Sequence, residues 1–230
     1  MTDIRLSFIE HMEELRQRII RSIIFVAIAS LLAYFFTDKI LTFLSRPAGR
    51  LIFIAPAEAF VTSIKIAIFG GLYISSPFIL YQIWQFISLG LGDSEKRHVL
   101  LFGIFSFILF MLGSFLGYFI IVPIGLKFLM TFGTEYLTPM ISVGKYISFV
   151  ISLSFAFGIV FELPLVILFL TMIGVVTPRF LSEKRKYAIV IIFIAAAIFT
   201  PPDVITQCLM AVPLLILYEI SIFLSRIARK

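Results

Sequence analysis

The acidic side chains of this chain stand where apolar sequence makes them expensive, and they mark its chemistry first. In SFIEHMEELRQRII, residues 7 to 20, Glu10, Glu13 and Glu14 directly precede a long apolar run, where the flank of a membrane segment ordinarily collects lysine and arginine. Asp93 and Glu95 stand in a similar place, in LGLGDSEKRHV, residues 89 to 99, and Glu162 lies inside the apolar stretch FGIVFELPLVI. Carboxylates held in a partly desolvated groove suit a guanidinium, whose planar fork matches both oxygens where a lysine ammonium does not. A basic peptide is the ligand such a groove would take. The competing reading for Glu10 and Glu13 is a solvated helix face. Glu14 also stands four residues before Arg18, in the favourable order for a helix ion pair worth about 0.2–0.5 kcal/mol.

Membrane spans are the elements that must position these acids. With 61% hydrophobic residues, 14% charged residues and 27 phenylalanines among 230 positions, the chain has too little polar surface to coat a soluble globule. A spanning helix needs about 20 apolar residues, and that ruler gives six spans: 19–36, 59–89, 99–122, 146–173, 187–199 and 204–224. The first is long enough to span and runs into Thr-Asp-Lys rather than a small-residue cleavage site, so it is expected to stay. The second is over-long, and the fifth, at about 20 Å, is short for a core of about 30 Å. Pro77, Pro164 and Pro213 fall inside spans and invite kinks, which would curve the bundle into a concave shape. The expected fold is all-α: one polytopic domain over 1–230, with caps formed by the loops at about 37–58 and 123–145.

Basic residues orient it. They concentrate before the first span (Arg5, Arg16, Arg18, Arg21), in the second loop (Lys96, Arg97), in the fourth (Arg179, Lys184, Arg185, Lys186) and at the end (Arg226, Arg229, Lys230). By the positive-inside rule both termini are cytoplasmic, which puts Glu14 and Glu95 at the same membrane face. At 100° per residue Phe8, Met12, Leu15 and Ile19 share a stripe opposite Glu10, Glu13, Glu14 and Gln17, so an amphipathic helix leads into the first span. Glu95 has an alternative role at the start of the third span, where a carboxylate complements the helix dipole. Glu162 would cost at least about 2.5–3.5 kcal/mol facing lipid, so a polar cavity, a proton or both must accompany it. Asp203 reads as a cap for the sixth helix.

Covalent chemistry finds no support in the motifs. Gly144-Lys145 lacks the upstream glycine of a phosphate-binding loop, His11 and His98 form no metal-ligand pattern, and the one cysteine, Cys208, has no disulfide partner within the chain. GLGD, residues 90 to 93, matches the box of intramembrane aspartyl proteases but has no second aspartate within a span to pair with. No enzyme, metal or cofactor is expected, and nothing points to nucleic acid, since the net charge of +6 is read as membrane orientation. A proton- or ion-coupled secondary transporter with Glu162 as coupling site is the rival. It calls for repeated halves and a broken helix pair that the sequence does not present.

Five motifs in order resemble one family across nearly the whole chain: HMEELRQR (11–18), SPFILYQIWQFISLGL (76–91) followed by SEKR (94–97), FMLGSFLGYFIIVP (110–123), FGIVFELP (157–164) and TPPDVITQ (200–207). The family is TatC, the core receptor subunit of the twin-arginine protein translocase. The resemblance implies that Glu14 and Glu95 contact the paired arginines of a signal peptide, that Arg16 and Phe86 belong to the same recognition region, and that Pro47 and Asp203 are motif positions. It further implies a polar partner contact at Glu162, single-span TatB-like and TatA-like partners, several copies of this chain per complex in the inner (cytoplasmic) membrane, and energy from the proton gradient. Met12 stands where leucine is usual, and Ser88-Leu89 where many members have proline before Gly-Leu.

Overall fold

A computed structural model describes residues 8–88, 99–131, 140–199 and 204–228. The regular structure of the described residues is helical, with no strand beyond a single isolated bridge, and five helical stretches are long and apolar enough to cross a membrane: Ile9–Tyr34, Pro56–Ile87, Val99–Met130, Val143–Met172 and Thr206–Ile227. In order the helices are α1 (Phe8–Tyr34), α2 (Thr37–Ser45), α3 (Pro56–Ile87), α4 (Val99–Leu116), a π-helical turn (Gly117–Ile121), α5 (Val122–Met130), α6 (Val143–Val160), α7 (Leu163–Met172), α8 (Pro178–Glu183), α9 (Arg185–Phe199) and α10 (Val204–Ala228). The expected fifth span is α9, whose 15 residues make about 22 Å, short of the core on its own. Exposed isoleucine, leucine and phenylalanine along α1, α3 and α4 are what a lipid-facing surface requires.

Proline decides where two of the long stretches change character. Pro123 has no N–H to give and sits in the first turn of α5, and the turn before it widens so that Val122 N–H reaches back to the Gly117 carbonyl. Pro164 sits in the first turn of α7, where the missing N–H costs nothing, and the helix before it ends at Phe161 and Glu162. Glu162 N–H bonds the Ile159 carbonyl at 3.1 Å, and the Glu162 carbonyl accepts from Val166 N–H at 2.9 Å to open the next helix. Pro77 and Pro213 lie inside α3 and α10.

The chain divides into two units, Met1–Phe43 with Phe60–Phe107, and Leu44–Ala59 with Ile108–Lys230. In the first, small residues bring helices close, the usual device where lipid removes the hydrophobic drive for association. A Cβ on Gly71 of α3 would come 2.6 Å from the Ser30 backbone nitrogen of α1, and one on Gly70 3.0 Å from Ala33 Cβ. Phe25 stacks on Phe78 at 4.7 Å, while Trp84 stacks on Phe102 at 4.8 Å and donates to Ser106 Oγ at 2.8 Å.

In the second unit, Gly117 approaches Ser154 and Gly158 approaches Phe110, at 3.0 Å and 2.7 Å from a built Cβ, which seats α4 and the π-turn on α6. Thr171 and Ser225 share a hydrogen bond of 2.9 Å between α7 and α10, and Tyr218 donates to the Leu181 carbonyl of α8 at 2.9 Å. The loops expected as caps are joined here. Ile52 N–H bonds the Ile141 carbonyl and Val143 N–H the Ile52 carbonyl, at 3.0 and 2.8 Å, and Tyr146 donates to the Leu44 carbonyl at 2.9 Å. Glu58, in the first turn of α3, accepts from Ser142 Oγ, from Gly144 N–H at 2.8 Å and from Ile54 N–H at 2.7 Å. Gly49 closes α2: its N–H caps the Ser45 carbonyl at 3.0 Å with φ 71°, a left-handed conformation that glycine adopts without strain.

Candidate functional site

Glu14 lies in the first unit, on the face of α1 turned to the end of α3. His11, Glu14 and Arg18 stand at i, i+3 and i+7, one stripe of a helix, and Gln82, Gln85 and Phe86 form the matching stripe on α3. The His11 and Phe86 rings meet at 4.5 Å. One to two turns further along α1, Arg18 is buried, 7% exposed. Its Nη2 meets Glu14 Oε1 at 2.6 Å, and its Nη1 donates to Gln82 Oε1 and to Gln85 Oε1, both at 2.7 Å. Arg18 Nε is buried and has no hydrogen-bond partner among the described residues.

This geometry changes the value of the pair. The i,i+4 spacing predicts a weak surface interaction, but Arg18 is enclosed, so its charge depends on Glu14 and the two glutamine carbonyls. The Glu14 side chain remains 31% exposed, and among the described residues its second oxygen takes no hydrogen bond. Among the described residues Arg18 therefore already engages one arm of the open fork expected from sequence. Arg16 points elsewhere: it is exposed and pairs with Glu13 at 3.1 Å, a contact of the kind worth little in water. Phe86 is half-buried. Glu95 and the neighbouring Asp93 lie outside the described residues, as does Asp203.

The remaining expected residues fall in the second unit. Glu162 is half-buried at the junction of α6 and α7, caps neither helix with its side chain, and is flanked by buried Pro164 and Leu165. Pro47 is half-buried in the turn after α2, and Gln207 of the TPPDVITQ motif donates to the Phe193 carbonyl at 2.9 Å, tying α10 to α9. Sequence reasoning missed the roles of Gln82, Gln85 and Glu58. Polar residues recurring at i and i+3 in the otherwise apolar YQIWQF were the available signal for the glutamines.

Long apolar helices with a few costly polar groups at their ends and breaks define a polytopic helical membrane protein. Comparison with known proteins makes this particular. The family model described as Sec-independent protein translocase protein (TatC) matches residues 10–213. The TatC protein of Carboxydothermus hydrogenoformans is 44% identical over 98% of this chain and 95% of its own length, and that of Aquifex aeolicus 47% identical over 96% and 95%. A crystal structure described as twin arginine translocase receptor TatC superposes with a TM-score of 0.88 at 46% identity, covering 96% of this chain and 100% of that one. The chain belongs to the TatC family of Sec-independent protein translocase components, multi-pass membrane proteins of protein transport. The comparisons do not favour the secondary transporter.

Proposed function

We propose that this chain is the core receptor of the twin-arginine translocase, binding twin-arginine signal peptides of folded precursors at the cytoplasmic face and scaffolding the translocation site. The observation that carries the reading is Glu14: a carboxylate at the end of a spanning helix, 31% exposed, with one oxygen anchored and aromatic Phe86 in the same helix pair. A second guanidinium would go to Glu95, on the family motif alone, with Arg16 in the same recognition region. The reading takes the chain as one polytopic domain of six spans in the inner membrane with both termini cytoplasmic, α9 being the short fifth span. It catalyses no covalent change and holds no cofactor. Its partners are TatB-like and TatA-like single-span subunits, further copies of this chain and the bilayer, and the proton gradient supplies the energy. Glu162, placed at a helix junction rather than mid-helix, is the intramembrane polar contact for a partner or for the passing chain, while Pro47 and Asp203 shape loops.

Crosslinking of an Arg-Arg signal peptide to Glu14→Ala and Glu95→Ala proteins in membranes tests it. Both variants are expected to lose the crosslink, and crosslinking at the wild-type level would remove the receptor assignment from those side chains. For Glu162, a Glu162→Gln protein is expected to lose partner association, and undiminished association with undiminished export would leave a packing role alone.

A further inference from the structure

We infer that Arg18 is a positioning residue of the peptide site: a permanent internal guanidinium, anchored by Gln82 and Gln85, that holds Glu14 so that one carboxylate oxygen faces an incoming arginine. The inference rests on the reading of Glu14 as a receptor carboxylate. Three oxygens meet Arg18 at 2.6 to 2.7 Å, two of them from α3 and one from its own helix. Both hydrogens of Nη1 are committed to the glutamine carbonyls, which leaves Nη2 to fix Glu14.

Two roles are open to a built-in guanidinium beside a receptor carboxylate. It can compete with the ligand and be displaced, or it can stay and share the carboxylate. Displacement would strip Glu14 from a guanidinium that is 7% exposed and whose Nε already lacks a partner among the described residues, leaving a buried charge with two neutral carbonyls. Sharing costs nothing of that kind, because a carboxylate has lone pairs for about four donors and Arg18 meets Glu14 at Oε1. Arg18 therefore stays. The consequence for recognition is that Glu14 is held in one rotamer before the peptide arrives, so less side-chain freedom is lost on binding. The ligand's guanidinium is met at Oε2, and the fork of Glu14 is completed by one internal and one external arginine.

A double-mutant cycle on the full-length protein in lipid nanodiscs, titrated with a labelled Arg-Arg signal peptide, tests this. Arg18→Gln is expected to weaken binding about tenfold when Glu14 is present and less than about twofold in a Glu14→Ala background, since its effect passes through that carboxylate. Peptide affinity equal to wild type in Arg18→Gln, with Glu14→Ala still impaired, overturns the positioning role and leaves the receptor reading standing. Tighter binding by Arg18→Gln overturns it too, and identifies a competitor. The same loss in both backgrounds overturns it in favour of a general structural role. Undiminished binding by Glu14→Ala overturns the receptor reading of that residue and the inference with it. Should Arg18→Gln not be recovered folded, the double variant Gln82→Ala, Gln85→Ala, which keeps the ion pair and removes its anchors, is read by the same criteria.

Discussion

Glu14 and Glu58 are both carboxylates in helical first or early turns of long apolar helices, and they are satisfied in opposite ways. Glu58 is enclosed by its own chain: Ser142 Oγ and Gly144 N–H donate to Oε1, and Ile54 and Ala55 N–H to Oε2. Both of its oxygens are occupied, and it joins the segment before α3 to the start of α6. Glu14 has one oxygen engaged by Arg18, takes no second hydrogen bond among the described residues, and is 31% exposed. A carboxylate whose acceptor capacity is filled from within is a staple, and one left half-filled at a surface has the capacity that the proposed receptor role requires.

Removing each acid and reading binding and stability together separates the two roles most directly. Glu14→Ala is expected to weaken Arg-Arg peptide binding roughly ten- to a hundredfold, the value of a hydrogen bond between charged groups, measured by titration in nanodiscs. Glu58→Ala is expected to act on stability alone: the thermal unfolding midpoint in detergent falls by several degrees, because three backbone N–H groups and a hydroxyl lose their acceptor, while peptide affinity is unchanged. A Glu58→Ala protein that unfolds like wild type but no longer binds peptide would erase the distinction between the two acids.

Gly71 tests whether helix spacing carries the Glu14 arrangement. A methyl group there meets the Ser30 backbone, so Gly71→Ala should force α1 from α3, destabilise the protein by about 1–3 kcal/mol and loosen the reach of Arg18 to Gln82 and Gln85. Chemical denaturation and peptide titration on the one variant read both effects. The smallest effect is expected at Arg185, which pairs with Glu219 at 2.7 Å but is about half exposed, as is its partner. Arg185→Ala should change stability by less than about 1 kcal/mol, against the far larger loss when enclosed Arg18 is replaced, and a comparable loss at both arginines in denaturant titrations would mean that burial does not set their worth.

Much of the fold was legible in the linear pattern. Apolar runs of spanning length announced the long helices, Pro164 of the three prolines read as kink sites stands where one helix gives way to the next, Pro77 and Pro213 lie inside helices, Pro123 was not singled out, and the tract ending at Phe199 was visibly short. The candidate site was legible only in part. Glu14 and Glu162 stood out because acids are costly beside or within apolar sequence, and the order of five motifs gave the family. That Glu162 belongs to a junction and not to a continuous helix followed from Pro164 only once the break at Phe161 was seen.

Composition and periodicity determined that this chain is helical and membrane-spanning, since hydrophobicity and the 3.6-residue repeat are local properties that add along the chain. Tertiary structure alone decided what its charges are worth. Arg18 meets Gln82 across 64 residues and Glu58 meets Gly144 across 86, and the strength of each contact depends on how much water the neighbouring helix excludes. That exclusion is a matter of which backbones approach closely, at positions such as Gly71 against Ser30, and no spacing along one helix encodes it.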